Sequence, residues 1–164
     1  MKYLKNLQIA QAIIFLTIPL ILQLVNKGVR LNSISAYVNF TPVAFASMLS
    51  LAGFLFITNG FVNRNRWANI YVGGALLFVV WLNHLEFPVL HYTAASIFFL
   101  GSIFNMIFFS SNKQRWFKVV TGLGILFGMA GHFIFGWYSL FYAEWIGMFP
   151  ISLHFILEEI GKID

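Results

Sequence analysis

The chain has 164 residues, 60% of them hydrophobic and 9% charged, with a net charge of +5 and a mean hydropathy of +0.82. A soluble domain carries about 25% charged residues, so so few charges cannot cover a water-facing surface, and lipid must be the solvent for most of the chain. The absence of cysteine excludes disulfides, thiol catalysis and cysteine metal sites. The basic residues lie in short links between apolar runs, which reads as membrane topology and not as a nucleic-acid surface.

A spanning helix needs roughly 20 mainly apolar residues, and six runs are candidates. The first covers 7–26, with Pro19 inside it. Its apolar stretch is too long for a signal peptide, and no small-x-small site ends it. The second covers 41–61 and opens on Thr41-Pro42, a cap residue followed by proline at the first helical position. The third, 68–84, is short. The fourth covers 90–110, the fifth 117–137 and the sixth 139–159, the last with Pro150 inside it. The link between the last two is so short that they form a tight antiparallel pair. Pro19 and Pro150 are each expected to kink their helix.

Basic residues set the expected orientation. With the N-terminus inside, the inner segments hold Lys2, Lys5, Arg64, Arg66, Lys113, Arg115, Lys118 and Lys162, and the outer links hold Lys27 and Arg30. The fold expected is an all-α integral membrane protein, a six-transmembrane-helix bundle forming one domain over 1–164 with both termini cytoplasmic. Three polar, aromatic links then face outward: 30–40 (RLNSISAYVNF), 83–91 (NHLEFPVLH) and 136–145 (GWYSLFYAEW). The inner links are basic anchors with Trp67 and Trp116 at belt positions.

Small residues should make the helix contacts, because lipid supplies no hydrophobic drive between helices. Gly124, Gly128, His132 and Gly136 form a stripe on the fifth span. Ala94 with Gly101 and Ala95 with Ser102 repeat on the fourth, and Ala46, Ser47, Ser50 and Gly53 fall on the second.

Ionisable groups at membrane depth are costly, so they should face the bundle interior and find partners. Glu144 lies a turn and a half into the last span, on one face with Gly147, Ile151, His154 and Glu158. Glu158 and Glu159 read as solvated charges at that helix's end. His132 could approach Glu144 across the last turn. With His84, Glu86 and His91, these side chains all fall in the outer third. His84, His91, His132 and Glu144 are weak candidates for a metal site, because their spacing matches no ligand motif. No cofactor is expected. Ser33 or Ser35, with His91 as base and Glu144 as its orienter, are candidates for a nucleophilic site. The plainer reading of both serines is a capped turn resting on the bundle mouth.

The stretches SISAYVNFTPVAFASMLSLAGFLFITNGF, LHYTAASIFFLGSIFNMIFF and FYAEWIGMFPISLHFIL together resemble an uncharacterised family of small bacterial six-span membrane proteins. That family is distantly similar to the damage-regulated autophagy modulators and to the group of FGF-receptor-activating protein and the GPI-remodelling factors. The resemblance covers about two thirds of the chain. It places Ser33, Ser35, Tyr37, His91 and Glu144 at matching positions, and it implies a six-helix bundle in a bacterial cytoplasmic membrane. For the relatives it implies membrane-lipid handling. The first outer link is shorter and less acidic here than in that pattern, and His84 and Glu86 have no counterpart in it.

The expected function is an outward-facing pocket for a lipid or amphiphile, using Ser35, Tyr37, His84, Glu86, His91, His132, Tyr142 and Glu144. Tyr37, Trp137, Tyr138, Tyr142 and Trp145 would ring it. The alternatives are a membrane-embedded lipid hydrolase or transferase, an accessory subunit held through small-residue faces to another membrane protein or to itself, and a proton-coupled transporter using the Glu144–His154–Glu158 face. The partners expected are membrane lipids and not nucleic acid.

Overall fold

The computed structural model describes residues 2–62, 67–109 and 113–163. Among them are six α-helices and no strand: α1 Lys2–Val25, α2 Pro42–Val62, α3 Ala68–Trp81, α4 Pro88–Phe104, α5 Arg115–Phe133 and α6 Leu140–Glu159. A 3-10 turn, Ser35–Asn39, lies between α1 and α2, and a π-helical turn, Asn105–Phe109, extends α4. Five helices are long and apolar enough to cross a membrane. The exception is α3, with 14 residues, or about 21 Å at the α-helical rise. It is bracketed by Trp67 and Trp81, both exposed. Of the basic residues behind the expected orientation, Arg64 and Arg66 lie outside the described residues.

The helices run alternately up and down. His91, at the start of α4, bonds to the Leu82 carbonyl just past the end of α3. Asn105, at the end of α4, bonds to Asn69 at the start of α3. One end of the bundle therefore carries residues 26–41 and the α3–α4 and α5–α6 turns. We call it the link end, and the opposite end, where α1 begins and α6 ends, the terminus end. Both α1 and α6 run unbroken through Pro19 and Pro150.

The core is an aromatic column. Phe56 stands edge-on to Phe15, Phe98 and Phe155, with ring centroids 5.3–5.8 Å apart, so α1, α2, α4 and α6 meet around one ring. Helices α2 and α3 approach closely: a Cβ added to Gly73 would lie 2.6 Å from the Gly53 carbonyl oxygen. The sequence pattern had picked out Gly53 but not Gly73. The stripe on α5 serves packing at Gly128, where an added Cβ would meet Ile146 at 2.7 Å. Its neighbour Gly124 is looser, 3.7 Å from Pro150. Apolar side chains are also abundant on the outside of the bundle, among them Val43, Phe54, Phe61, Val89 and Phe127, all exposed.

Two helix ends differ from expectation. The third helix stops at Trp81, not at 84, because the chain turns at Leu82 to meet His91. The fifth stops at Phe133, not at 137. Gly136 adopts a φ of +63°, which suits glycine, and the Trp137 amide donates to the Gly131 carbonyl at 2.9 Å. The apolar run Phe133-Ile134-Phe135 hides that stop in the sequence.

Candidate functional site

The segment 29–41 is a folded plug at the link end. Ser33 Oγ accepts from the Ala36 amide at 3.0 Å and so opens the 3-10 turn. This is the cap role expected of these serines, and it falls to Ser33. Tyr37 is fully buried. Its hydroxyl donates to the Val29 carbonyl at 3.2 Å and accepts from the Leu31 amide at 3.3 Å. Tyr37 therefore holds its own link together and is not part of a pocket rim.

Three contacts seat the plug on the first turns of α6. The Phe141 amide donates to the Asn32 carbonyl at 2.7 Å. Glu144 Oε2 accepts from the Ile34 amide at 2.5 Å. Arg30 donates to the Tyr142 hydroxyl and lies over its ring, 4.7 Å from the centroid, a cation–π arrangement.

A fourth contact reaches α4. Ser35 Oγ is 2.9 Å from His91 Nε2, and His91 Nδ1 is 2.6 Å from the Leu82 carbonyl oxygen. A carbonyl can only accept, so Nδ1 carries the ring proton and Nε2 presents its lone pair. The Ser35 hydroxyl then donates to Nε2. Both residues are buried. The His91 orienter is the Leu82 carbonyl and not Glu144, as the sequence had suggested. A backbone carbonyl leaves no trace in a motif.

Two cavities flank this contact. A cleft of about 380 Å³ runs between α4, α5 and α6. His91 and Glu144 line it, with Phe99, Ile125, Met129 and Leu140 among its apolar walls. Its rim residues Tyr92, Leu100, Leu126 and Phe133 are exposed, so it opens on the flank of the bundle. A smaller cavity of about 40 Å³ lies deeper, lined by Ser35, Ile34, Phe15, Phe98 and Met148 among others. Ala95, Phe99 and Glu144 border both.

The other expected site residues are placed elsewhere. His132 Nδ1 is 2.8 Å from the Tyr138 carbonyl oxygen, so it closes the α5–α6 turn and does not meet Glu144. Tyr138 donates to the Gly128 carbonyl at 2.7 Å, Trp145 to the Leu16 carbonyl at 3.3 Å, and Trp137 stacks on Phe135 in the open. These aromatics do not ring one pocket. His84 lies beside His91, with ring centroids 5.7 Å apart, and Glu86 is exposed. The candidate metal set of His84, His91, His132 and Glu144 does not converge. Among the described residues no group of three or more His, Cys, Asp or Glu could hold a metal ion.

A second polar cluster, at the terminus end, was not foreseen. Glu158 is buried, not solvated, and accepts from Gln8 at 3.4 Å. Gln8 also reaches Asn59 at 3.4 Å, and His154 Nε2 lies 3.9 Å from the Glu158 carboxylate. Lys118, expected in an inner link, is fully buried. Nearby, Asn69, Ser102, Asn105, His154 and Glu158 line a cavity of about 20 Å³, room for about one water. A signal was present: Gln8 and Gln11 stand three apart in an apolar run, on one helix face.

No curated protein and no solved structure matches the chain significantly. The model of a family of unknown function, DUF7103, matches residues 17–159, a span that takes in α2 to α6 whole and the last part of α1. The expectation of an uncharacterised family is met at that level, and the chain belongs to the DUF7103 family.

Proposed function

We propose that this protein is a small polytopic membrane protein that binds a lipid or other amphiphile in the cleft between α4, α5 and α6. The observation that carries this reading is the cleft itself. Its volume of about 380 Å³ falls in the range of ligand sites, roughly 300–1,000 Å³. It is walled by apolar side chains, opens sideways and has His91 and Glu144 along its lining. An amphiphile entering from the bilayer would lay its chain against Phe99, Leu100 and Met129. Its polar group would sit beside the two titratable side chains.

In this reading all six helices span, in the cytoplasmic membrane of a bacterium, with both termini inside and the plug outside. The short α3 crosses by local thinning of the bilayer, a modest cost per ångström of mismatch, with Trp67 and Trp81 as interfacial anchors. The resemblance to membrane proteins linked to lipid handling points the same way.

The test is Ala95→Phe, which puts a ring into the cleft wall. Lipid co-purifying with the protein from detergent is measured by mass spectrometry. The expected result is a severalfold loss of bound lipid per folded chain, with the melting temperature largely kept. Unchanged lipid content and identity in a folded variant overturns the reading.

A further inference from the structure

We propose that Ser35 is an acyl-accepting nucleophile with His91 as its general base, and that the amphiphile bound in the cleft is an ester. This deepens the binding reading above and rests on it.

Four observations converge. First, Ser33 already caps the 3-10 turn, so the Ser35 hydroxyl is not needed for the turn and is directed at His91. Second, the imidazole is held in the tautomer a base requires, because the Leu82 carbonyl fixes the proton on Nδ1 and leaves Nε2 to receive one from Ser35. This has the geometry of a nucleophile, a base and an orienter. Third, Glu144 fixes the plug one residue from the nucleophile through the Ile34 amide, so Ser35 is part of a docked segment and not of a loose loop. Fourth, Ser35 lines a cavity that shares Ala95, Phe99 and Glu144 with the amphiphile cleft. These three residues are the common wall, so the proposed ester would pass between them to bring its carbonyl to Ser35 Oγ.

In the proposed step Ser35 Oγ attacks the ester carbonyl carbon while its proton passes to His91 Nε2. The tetrahedral adduct collapses, the bond from the carbonyl carbon to the ester oxygen breaks, and the alcohol leaves with the proton from Nε2. Water, or a second alcohol, then attacks the acyl-serine. His91 takes its proton and returns it to Ser35 as the acyl group departs, so no oxidant, reductant or metal enters.

The experiment treats the full-length protein in lipid nanodiscs with an alkyl fluorophosphonate and locates the adduct by peptide mass spectrometry. The expected result is an adduct on Ser35, absent in Ser35→Ala, with a labelling rate in His91→Gln at least about a hundredfold lower, the lower bound typical of general-base catalysis. Should His91→Gln not fold, the chain's lack of cysteine allows Ser35→Cys and Ser33→Cys to be compared as single thiols. A base at position 91 predicts that the thiol at 35 is alkylated at lower pH than the one at 33. A merely structural hydrogen bond would not produce that profile. No adduct on Ser35, or an adduct undiminished by His91→Gln, overturns the proposal. If lipid still co-purifies and responds to Ala95→Phe, the binding reading survives that failure; if it does not, both fall.

Discussion

At the link end, His91 and Glu144 are held by short connections to backbone groups, the Leu82 carbonyl and the Ile34 amide, Ser35 bonds to His91, and a cleft of about 380 Å³ borders His91 and Glu144. At the terminus end, Gln8 with Asn59 and Glu158, and Asn69 with Asn105, bond side chain to side chain between α1, α2 and α6 and between α3 and the end of α4, and Asn69, Asn105 and Glu158 line a cavity of about 20 Å³. Both clusters are polar and lie among apolar helices, but they differ in their immediate surroundings. Where polar groups are tied to one another with no room for a guest, they join helices, which is the common use of polar side chains in lipid. Where they are fixed from behind by the backbone and bordered by an open cleft, the proposed reading has them face a guest. Stability should therefore depend most on the terminus end and ligand chemistry on the link end.

The largest stability effect is expected at Glu158. Glu158→Leu removes the acceptor for Gln8 and the neighbour of His154. Interhelical hydrogen bonds in membranes average about 0.6 kcal/mol and reach about 1.7. Losing these contacts together, in a buried site, should cost about 2 kcal/mol. Reversible unfolding in mixed micelles measures this. Lipid bound per folded chain should not change, and a variant that keeps its stability but loses lipid would reverse the assignment of the two ends.

The contrast also shows where the sequence was readable. Helix starts at Pro42 and Pro88 carry proline at the first helical position, a local signal. Ser35, His91 and Glu144 were nameable one by one, because each is a costly group near a span end. Their contacts join positions 56 and 110 residues apart, so the pairing depends on how the helices pack and not on spacing. Glu158 was misread because a carboxylate six residues from the C-terminus looks solvated. Its burial depends on Gln8, 150 residues away. Lys118 likewise looked like an anchor, since a short basic link carries no mark of which side chain turns inward.

At the link end the two replacements of Glu144 should separate fixing the plug from contacting the guest. Glu144→Leu leaves the Ile34 amide without its acceptor, a loss of about 1 to 1.5 kcal/mol for one hydrogen bond, and should loosen residues 30–40 as seen by hydrogen exchange. Glu144→Gln keeps a side-chain carbonyl for that amide and should cost less than about 1 kcal/mol, yet change which lipids co-purify, because the cleft loses a carboxylate. Equal stability loss in both would mean that something other than the hydrogen bond to Ile34 seats the plug.

The smallest effect runs in the opposite direction. Gln11 is fully buried on α1, one turn from Gln8 and on the same face, yet among the described residues neither of its amide atoms has a hydrogen-bond partner. A buried amide left unpaired costs about 1–3 kcal/mol by mutational measures, and leucine is of comparable volume with no polar atoms. If the terminus end is a packed joint, Gln11→Leu should stabilise the protein by about 1 kcal/mol, with unchanged lipid content. A loss of stability instead would mean that the Gln11 amide is satisfied within the joint, as Gln8 is, and that the polar network extends a full turn deeper toward Phe15 and the aromatic column.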